Sequence, residues 1–219
     1  AYEYVPGSVN IRVVYVDSAA TGGGGSSWEH AYTTLDSALL DAMSGDQVWI
    51  ANGTYYPSIG GGASDSATFL VPSGVELYGG FVGGEANLFD RNPALNPPAI
   101  LSGEIGSAGS TDNCWHVLTI GDASDSCVID GCIVTGGYAD GDPAGASSRG
   151  AGIYIAGGKH VLRGLTVDGN WAKSAGGGIY STGGNISLED VHASGNAAER
   201  GMGGALYFNG DSLFLQRTR

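Results

Sequence analysis

An insertion in the C-terminal half carries residue types that can bind a cation. Val134 and Val167 occupy one position of a repeated pattern and are 33 residues apart, whereas Val167 and Ala193 are 26 apart. The inserted segment contains Asp140 and Asp142, separated by one glycine. Carboxylates around a flexible glycine offer the hard oxygen ligands that Ca²⁺ prefers. Asp140 and Asp142 are therefore a candidate Ca²⁺ site, with a plain polar loop as the alternative; no other cofactor is indicated.

Aromatic residues in the same region could bind a sugar. Tyr138 and Trp171 occupy equivalent positions in neighbouring copies of the pattern, and Asp140, Lys173 and Glu199 share a position close by. A flat ring face matches the C–H side of a pyranose. Tyr138 and Trp171 are thus the candidate carbohydrate-binding residues. The alternative is that Trp171 covers the edge of its own bend, since tryptophan is usually well buried.

These positions belong to a short sequence that is repeated through the C-terminal half. Three copies of a glycine-rich motif end in Tyr154, Tyr180 and Tyr207, which are 26 and then 27 residues apart. A second motif ends in Asn170 and Asn196, again 26 residues apart. A fixed period in this range is typical of repeat architectures, in which each unit stacks on the next.

Aligning the copies produces columns of equivalent residues. One column is apolar and contains Ile129, Leu162, Leu188 and Leu215. The column beside it is polar and contains Asp130, Arg163, Glu189 and Gln216. An apolar position next to a charged one is the in-and-out alternation of a β-strand. Because the charges alternate in sign, we expect a ladder of surface ion pairs that each contribute little.

The glycines and asparagines of the repeat are interpreted as structural. Gly152 and Gly178 belong to glycine-bearing bends between strands. Asn170 and Asn196 share another bend, where asparagine tolerates left-handed backbone geometry. Stacked side-chain amides can also bond to one another along a column.

A repeat of this length predicts a parallel β-helix. A unit of 26 residues is too short for two helices with their turns and suits three short strands, which would stack at about 4.8 Å. We predict an all-β fold with a single domain over residues 1–219. Residues 1–45 would hold an N-terminal strand and a cap helix, and residues 46–219 the rungs, with a C-terminal end that lacks a cap.

The predicted cap is a short amphipathic helix between Thr34 and Gly45. The first rung of a solenoid has an apolar end that must be covered. Apolar residues fall at helical spacing in this segment, namely Leu35, Ala38, Leu39, Ala42 and Met43. Such a stripe favours a helix docked over the first rung.

Two sets of motifs resemble those of known proteins. From about residue 150 to 207, the Gly-Gly-X-Ile/Leu pattern with its Asn element resembles the repeats of chlamydial polymorphic outer membrane proteins. It also resembles the wider set of bacterial surface proteins with a right-handed, pectate-lyase-like β-helix. The N-terminal part is similar to the opening of secreted bacterial β-helix proteins through Tyr15-Val16-Asp17, Ser27-Trp28, Ala51-Asn52-Gly53-Thr54-Tyr55, Tyr78-Gly79-Gly80-Phe81, Arg91-Asn92-Pro93 and Leu101-Ser102-Gly103. This resemblance implies a right-handed β-helix on a bacterial cell surface.

The resemblance also implies an enzymatic alternative. Lyases with this fold bind Ca²⁺ through clustered carboxylates and remove a proton with Arg or Lys, and the related glycosidases use close aspartates. The candidates for such roles are Asp140, Asp142, Arg149 and Lys173. None of them lies in a complete catalytic motif, so the sequence assigns no catalytic residue.

The amino-acid composition disfavours two classes of binding partner. The chain has 22 acidic and 9 basic residues and a net charge of −13, which repels nucleic acid and anionic membranes. No apolar stretch is long enough for a transmembrane helix. Three cysteines are too few for a disulfide scaffold. The chain starts at Ala1 without an initiator Met, which indicates either a processed, secreted protein or a recombinant fragment.

Together these features predict a non-catalytic extracellular protein that is adhesive, surface-exposed or fibre-forming. Its expected partner is either another copy of itself, end to end or side by side, or a cell-surface polysaccharide. A polysaccharide lyase or glycoside hydrolase, and a carbohydrate-binding β-helix, are the alternatives.

Overall fold

The structure, a computed structural model, describes residues 11–58, 64–107, 109–121 and 124–219. These residues are mostly β-strand and are arranged in parallel sheets. The strands in chain order are β1 Val13–Val16, β2 Gln47–Ala51, β3 Gly53–Tyr55, β4 Phe69–Val71, β5 Glu76–Phe81, β6 Ala99–Ser102, β7 Leu118–Ile120, β8 Cys127–Asp130, β9 Cys132–Thr135, β10 Tyr138–Ala139, β11 Ile153–Ile155, β12 Lys159–Arg163, β13 Thr166–Asp168, β14 Trp171–Ala172, β15 Ile179–Thr182, β16 Asn185–Glu189, β17 His192–Ser194, β18 Ala197–Ala198, β19 Leu206–Asn209 and β20 Ser212–Gln216. The helical segments are α1 Leu35–Asp41 and two 3₁₀ turns, Leu88–Asp90 and Ala146–Ser148.

The strands form four sheets that the chain visits in turn. Sheet 1 has the order β1-β2-β5-β8-β12-β16-β20, and sheet 2 the order β3-β6-β9-β13-β17. Sheet 3 has the order β4-β7-β11-β15-β19, and sheet 4 the order β10-β14-β18. From β11 onward the chain passes through sheets 3, 1, 2 and 4 and then returns to sheet 3. The copies that begin with β11 and β15 therefore each supply one strand to each sheet, and the last copy supplies β19 to sheet 3 and β20 to sheet 1.

The strand register follows the sequence copies. Leu162 lies opposite Leu188, and Leu188 lies opposite Leu215. Leu162 and Leu188 are buried, whereas Leu215 is 53% exposed because β20 is the last strand in the order of sheet 1. Inward-facing side chains from sheets 1, 2 and 3 form one continuous hydrophobic core, which includes Ile129, Val134 and Ile153.

Helix α1 packs against the edge strands at one end of the sheets. The Thr34 side chain caps it by accepting a hydrogen bond from the Ser37 backbone N–H at 3.4 Å. The helix contacts β1 and β4, the edge strands of sheets 1 and 3, and it buries Leu35, Ala38 and Leu39. Within the described ranges, no helix has the length and apolar character needed to cross a membrane.

The helix is shorter than the sequence predicts. It ends at Asp41, and Ala42 is already extended, with ψ of 140°. The chain therefore turns away before Met43, which is 64% exposed. The prediction that Met43 belongs to the buried stripe is wrong, because its helical spacing from Leu39 requires a turn of helix that does not form.

Candidate functional site

Asparagine side chains fix the start of the short strands of sheet 4. Asn170 directly precedes β14, and its Oδ1 accepts the backbone N–H of Gly137 at 2.9 Å. Asn196 directly precedes β18, and its Oδ1 accepts the backbone N–H of Asn170 at 3.1 Å. Asn170 Nδ2 also donates to the Val134 carbonyl at 3.2 Å. The stacked amides thus satisfy backbone groups in neighbouring copies and hold these strands in register.

The glycine motif and the asparagine motif recur together for a steric reason. A Cβ atom at Gly152 would lie 2.9 Å from Asn170 Nδ2 and 2.5 Å from the Gly178 carbonyl oxygen. A Cβ atom at Gly178 would lie 3.0 Å from Asn196 Cγ. The space beside each asparagine amide therefore accepts glycine alone.

The two candidate sugar-binding residues are brought together in sheet 4. Tyr138 and Trp171 lie opposite each other in β10 and β14, and their rings stack with centroids 4.6 Å apart and planes at 20°. Both residues are half-buried. The partner of Trp171 on its other side is Ala197, which is exposed. The indole therefore stacks on Tyr138 with one face, while its other face is directed toward a small residue.

Polar residues lie two or three positions from Trp171 and from its partner Ala197 in the chain. Lys173 Nζ donates to the backbone carbonyl of Asp140 at 3.2 Å. Glu199, the equivalent of Lys173 in the next copy, is exposed. On the N-terminal side, Ser194 Oγ donates to Asp168 Oδ1 at 2.5 Å. Donors and acceptors are therefore present on both sides of Trp171.

The acidic insertion is a compact loop held by its own hydrogen bonds. Asp142 Oδ1 accepts the Ala144 N–H at 2.9 Å, and Arg149 Nη2 donates to the Ala144 carbonyl at 3.4 Å. In the described part of the chain, no group of three or more His, Cys, Asp or Glu side chains is arranged to hold a metal ion. Ca²⁺ binding at Asp140 and Asp142 stays a prediction.

Arg149 faces a second aromatic column, in sheet 3. Tyr154 and Tyr180 stack at 5.5 Å, and Tyr180 and Tyr207 stack at 5.1 Å. The Arg149 guanidinium lies 5.7 Å from the centre of the Tyr180 ring, an attractive cation–π contact. Among the described hydrogen bonds and ion pairs, none joins the side chains of two of the four catalytic candidates named from the sequence.

The cysteines and His160 belong to the core. Cys114, Cys127 and Cys132 are buried free thiols, and burial raises the pKa of both Cys114 and Cys132 to about 12. Such thiols stay protonated at neutral pH and are poor nucleophiles. His160 Nδ1 accepts the Cys127 N–H at 3.2 Å, and its Nε2 donates to the Gly157 carbonyl at 2.6 Å.

The predicted cross-strand ion pair of Arg163 with Asp130 forms on sheet 1, but its burial and its third member, Arg91, were not predicted. Asp130 Oδ2 accepts from Arg91 Nη2 and from Arg163 Nε, both at 2.8 Å. Asp130 is only 6% exposed, so the prediction of a solvent-exposed ladder is wrong at this position. The guanidinium of Arg91 also lies 4.9 Å from the centre of the Tyr78 ring and donates to the Gly79 carbonyl at 2.9 Å.

This group holds a loop against the outside of sheet 1. Arg91 lies in the segment between β5 and β6, and its side chain contacts Asp130 at the end of β8. Burial and the hydrogen bond to the Glu76 carboxylate raise the pKa of the Tyr78 hydroxyl. Arg91 is part of a motif noted in the sequence, but the sequence carried no signal that pairs it with Asp130, 39 residues away.

No known protein family, characterised protein or solved structure matches this chain. The function is therefore inferred from the geometry of the site alone.

Proposed function

We propose that this chain is a right-handed parallel β-helix that acts as an adhesive, polysaccharide-binding protein on a bacterial cell surface. The β-helix is supported by the parallel sheets, which the chain visits in a fixed order. The right hand is supported by a general rule, since connections between parallel strands of one sheet are almost always right-handed.

The observation that carries the binding proposal is the stack of Tyr138 on Trp171. Two large rings are kept half-exposed on the short strands of sheet 4, where burial of their apolar surface is incomplete. Aromatic faces with adjacent hydrogen-bonding groups are suited to pyranose rings, because the ring contacts C–H groups and the polar groups contact hydroxyls. Asp168, three residues before Trp171, and the exposed Glu199, two residues after Ala197, are the polar groups that we assign to this role.

The contacts of the four catalytic candidates favour a binding function over a catalytic one. Lys173 donates to the Asp140 backbone, and Asp142 accepts a backbone N–H inside its own loop. Arg149 lies against Tyr180 in sheet 3, rather than beside Lys173. These contacts explain the residues as loop supports, and a lyase would need a base and a cation site directed at one point.

The acidic surface agrees with an extracellular location. A net charge of −13 keeps a protein soluble and disfavours binding to nucleic acid or to anionic lipid. It also disfavours anionic polymers as ligands, which include the uronates that lyases cleave.

Substitution of the aromatic pair tests the proposal. Affinity electrophoresis through gels that contain soluble polysaccharides would measure binding, and we expect Trp171→Ala to weaken it about tenfold or more. The matched control is Phe89→Ala, which removes an aromatic side chain that is 94% exposed on another loop. Equal binding by Trp171→Ala and the parent would contradict the proposal. Release of unsaturated products from uronate polymers, seen by ultraviolet absorbance, would favour the lyase instead.

A further inference from the structure

The aromatic column of sheet 4 is interrupted where the column of sheet 3 is filled. Paired strands lie about 4.8 Å apart, so equivalent rings in successive copies stack face to face. In sheet 3, Tyr180 is stacked between Tyr154 and Tyr207, and Tyr154 also contacts His116, with ring centroids 5.0 Å apart. The faces of Tyr154 and Tyr180 are therefore occupied, and these two rings present mainly their edges.

In sheet 4 the third position of the column is an alanine. Trp171 stacks on Tyr138 at 4.6 Å, but its partner on the opposite side is the exposed Ala197. A methyl group cannot cover an indole. We therefore expect a step in the outer surface at this point, bounded by the face of Trp171 that is turned away from Tyr138 and by the small, exposed Ala197. We call this feature the Trp171 step.

The Trp171 step has polar groups on two sides. Lys173 and Glu199 follow Trp171 and Ala197 by two residues, just beyond the ends of β14 and β18. Their backbone N–H groups continue the pairing, to the Ala139 and Ala172 carbonyls, so the alternation of a strand predicts the same side for them. Asp168 and Ser194, joined by a hydrogen bond of 2.5 Å, precede the same two residues by three positions, a span of at most about 10 Å. A ring in the step could therefore meet the Asp168 and Ser194 groups at one end and the Glu199 carboxylate at the other.

The charges indicate which sugars fit. Asp168 precedes Trp171 by three residues and Glu199 follows Ala197 by two. Of the cations close to them in the chain, Lys173 donates to the Asp140 backbone, and the exposed Arg200 directly follows Glu199. The whole chain carries a net charge of −13. Uronate and sulfated sugars would be repelled, whereas carboxylates are good acceptors for the hydroxyls of an uncharged sugar.

We infer that the Trp171 step binds one pyranose ring of a neutral glycan, with the C–H face of the sugar on the open face of Trp171. This inference rests on the proposed polysaccharide-binding function and assigns its contact point and ligand class. The ligand takes the place that a third aromatic ring occupies in the tyrosine column of sheet 3.

Filling the step with protein tests the inference. Ala197→Tyr would add a third ring to the stack, as Tyr207 does in sheet 3, so the thermal unfolding midpoint should stay constant or rise. Binding to a soluble β-1,4-glucan should nevertheless fall about tenfold or more, because the sugar has lost its place. Ala197→Ser keeps the step open and should bind within about twofold of the parent.

The possible outcomes separate the inference from the function on which it rests. If Ala197→Tyr binds the glucan as the parent does and Trp171→Ala loses binding, the inference that the Trp171 step holds the sugar is wrong. The proposed polysaccharide-binding function would still stand. Tighter binding of polygalacturonate than of the glucan would overturn the neutral ligand class. No binding of the parent protein to either polymer would overturn the function and the step together. Parallel losses in Ala197→Tyr and Trp171→Ala, with Ala197→Ser unaffected, would support both.

Discussion

The outside of sheet 1 is covered over its N-terminal strands and open over its C-terminal strands. Trp49, Tyr78 and Phe81 form a second buried cluster there, against which Trp28 and Leu88 pack from the connecting segments. At the other end of the same sheet, Phe214 occupies an outward position and is 56% exposed. The N-terminal strands of sheet 1 are thus covered by connecting segments, whereas the outward side chain of Phe214 in its last strand is exposed to solvent.

The two halves consequently gain stability in different ways. The N-terminal half relies on contacts between residues far apart in sequence, such as the Trp28 Nε1–H bond to the Glu85 carbonyl at 2.9 Å. The C-terminal half relies on contacts that recur with the sequence period, such as Asn170 on Asn196. A substitution in the first half should therefore break one particular cluster, and a substitution in the second should weaken one member of a series.

The largest effect is expected from Arg91→Ala. It removes one of the two guanidinium partners of the buried Asp130, the donor to the Gly79 carbonyl and the cation beside the Tyr78 ring. The combined loss should be about 3 kcal/mol, although Arg163 still pairs with Asp130. Urea denaturation would measure the loss in the free energy of unfolding. Arg217→Ala is the matched control, because Arg217 pairs with Asp190 on an exposed surface, with side-chain exposures of 64% and 45%. The urea midpoint of this variant should equal that of the parent protein. An equal loss of unfolding free energy in Arg91→Ala and Arg217→Ala would contradict the proposed difference between the covered N-terminal half and the open C-terminal half.

A smaller, graded effect is expected within the asparagine column. Asn170 is 1% exposed, so Asn170→Ala strands the buried Gly137 N–H and Val134 carbonyl and should cost about 2 kcal/mol. Asn196 is only half-buried, and Asn196→Ala should cost about 1 kcal/mol. Thermal and urea unfolding of the two variants would measure the difference. A greater loss in Asn196→Ala would mean that burial does not set the strength of this column.

The features of the fold that recur with the sequence repeat can be predicted from the sequence, and few of the remaining features can. The 26-residue spacing predicts which residues are neighbours, and the register found places Leu162 beside Leu188. The start of helix α1 is also encoded locally, because Thr34 is a capping residue. Met43 could not be placed, since the end of the helix depends on how the chain enters β2.

In the candidate site, too, the features that follow the repeat can be predicted from the sequence and the other contacts cannot. Alignment of the copies puts Tyr138 and Trp171 in one column, but it does not tell which ring faces are covered. That depends on Ala197 in the next copy and on the spacing of strands, which makes rings stack on one another. The contact of Arg91 with Asp130 has no periodic signal at all, because it joins a connecting segment to a strand.

The central claim, that equivalent residues of successive copies are neighbours on the same face, can be tested by disulfide crosslinking. Thr166 and His192 are Cα partners in sheet 2, at a spacing of about 4.8 Å that permits a disulfide. We predict that Thr166→Cys combined with His192→Cys crosslinks readily under mild oxidation, as read by mass spectrometry of unreduced digests. The native thiols should stay out of the reaction, since burial raises the pKa of Cys132 to about 12. Thr166→Cys combined with Ala193→Cys should remain reduced, because the side chain at 193 points to the opposite face; crosslinking of the shifted pair in preference to the aligned one would contradict the account.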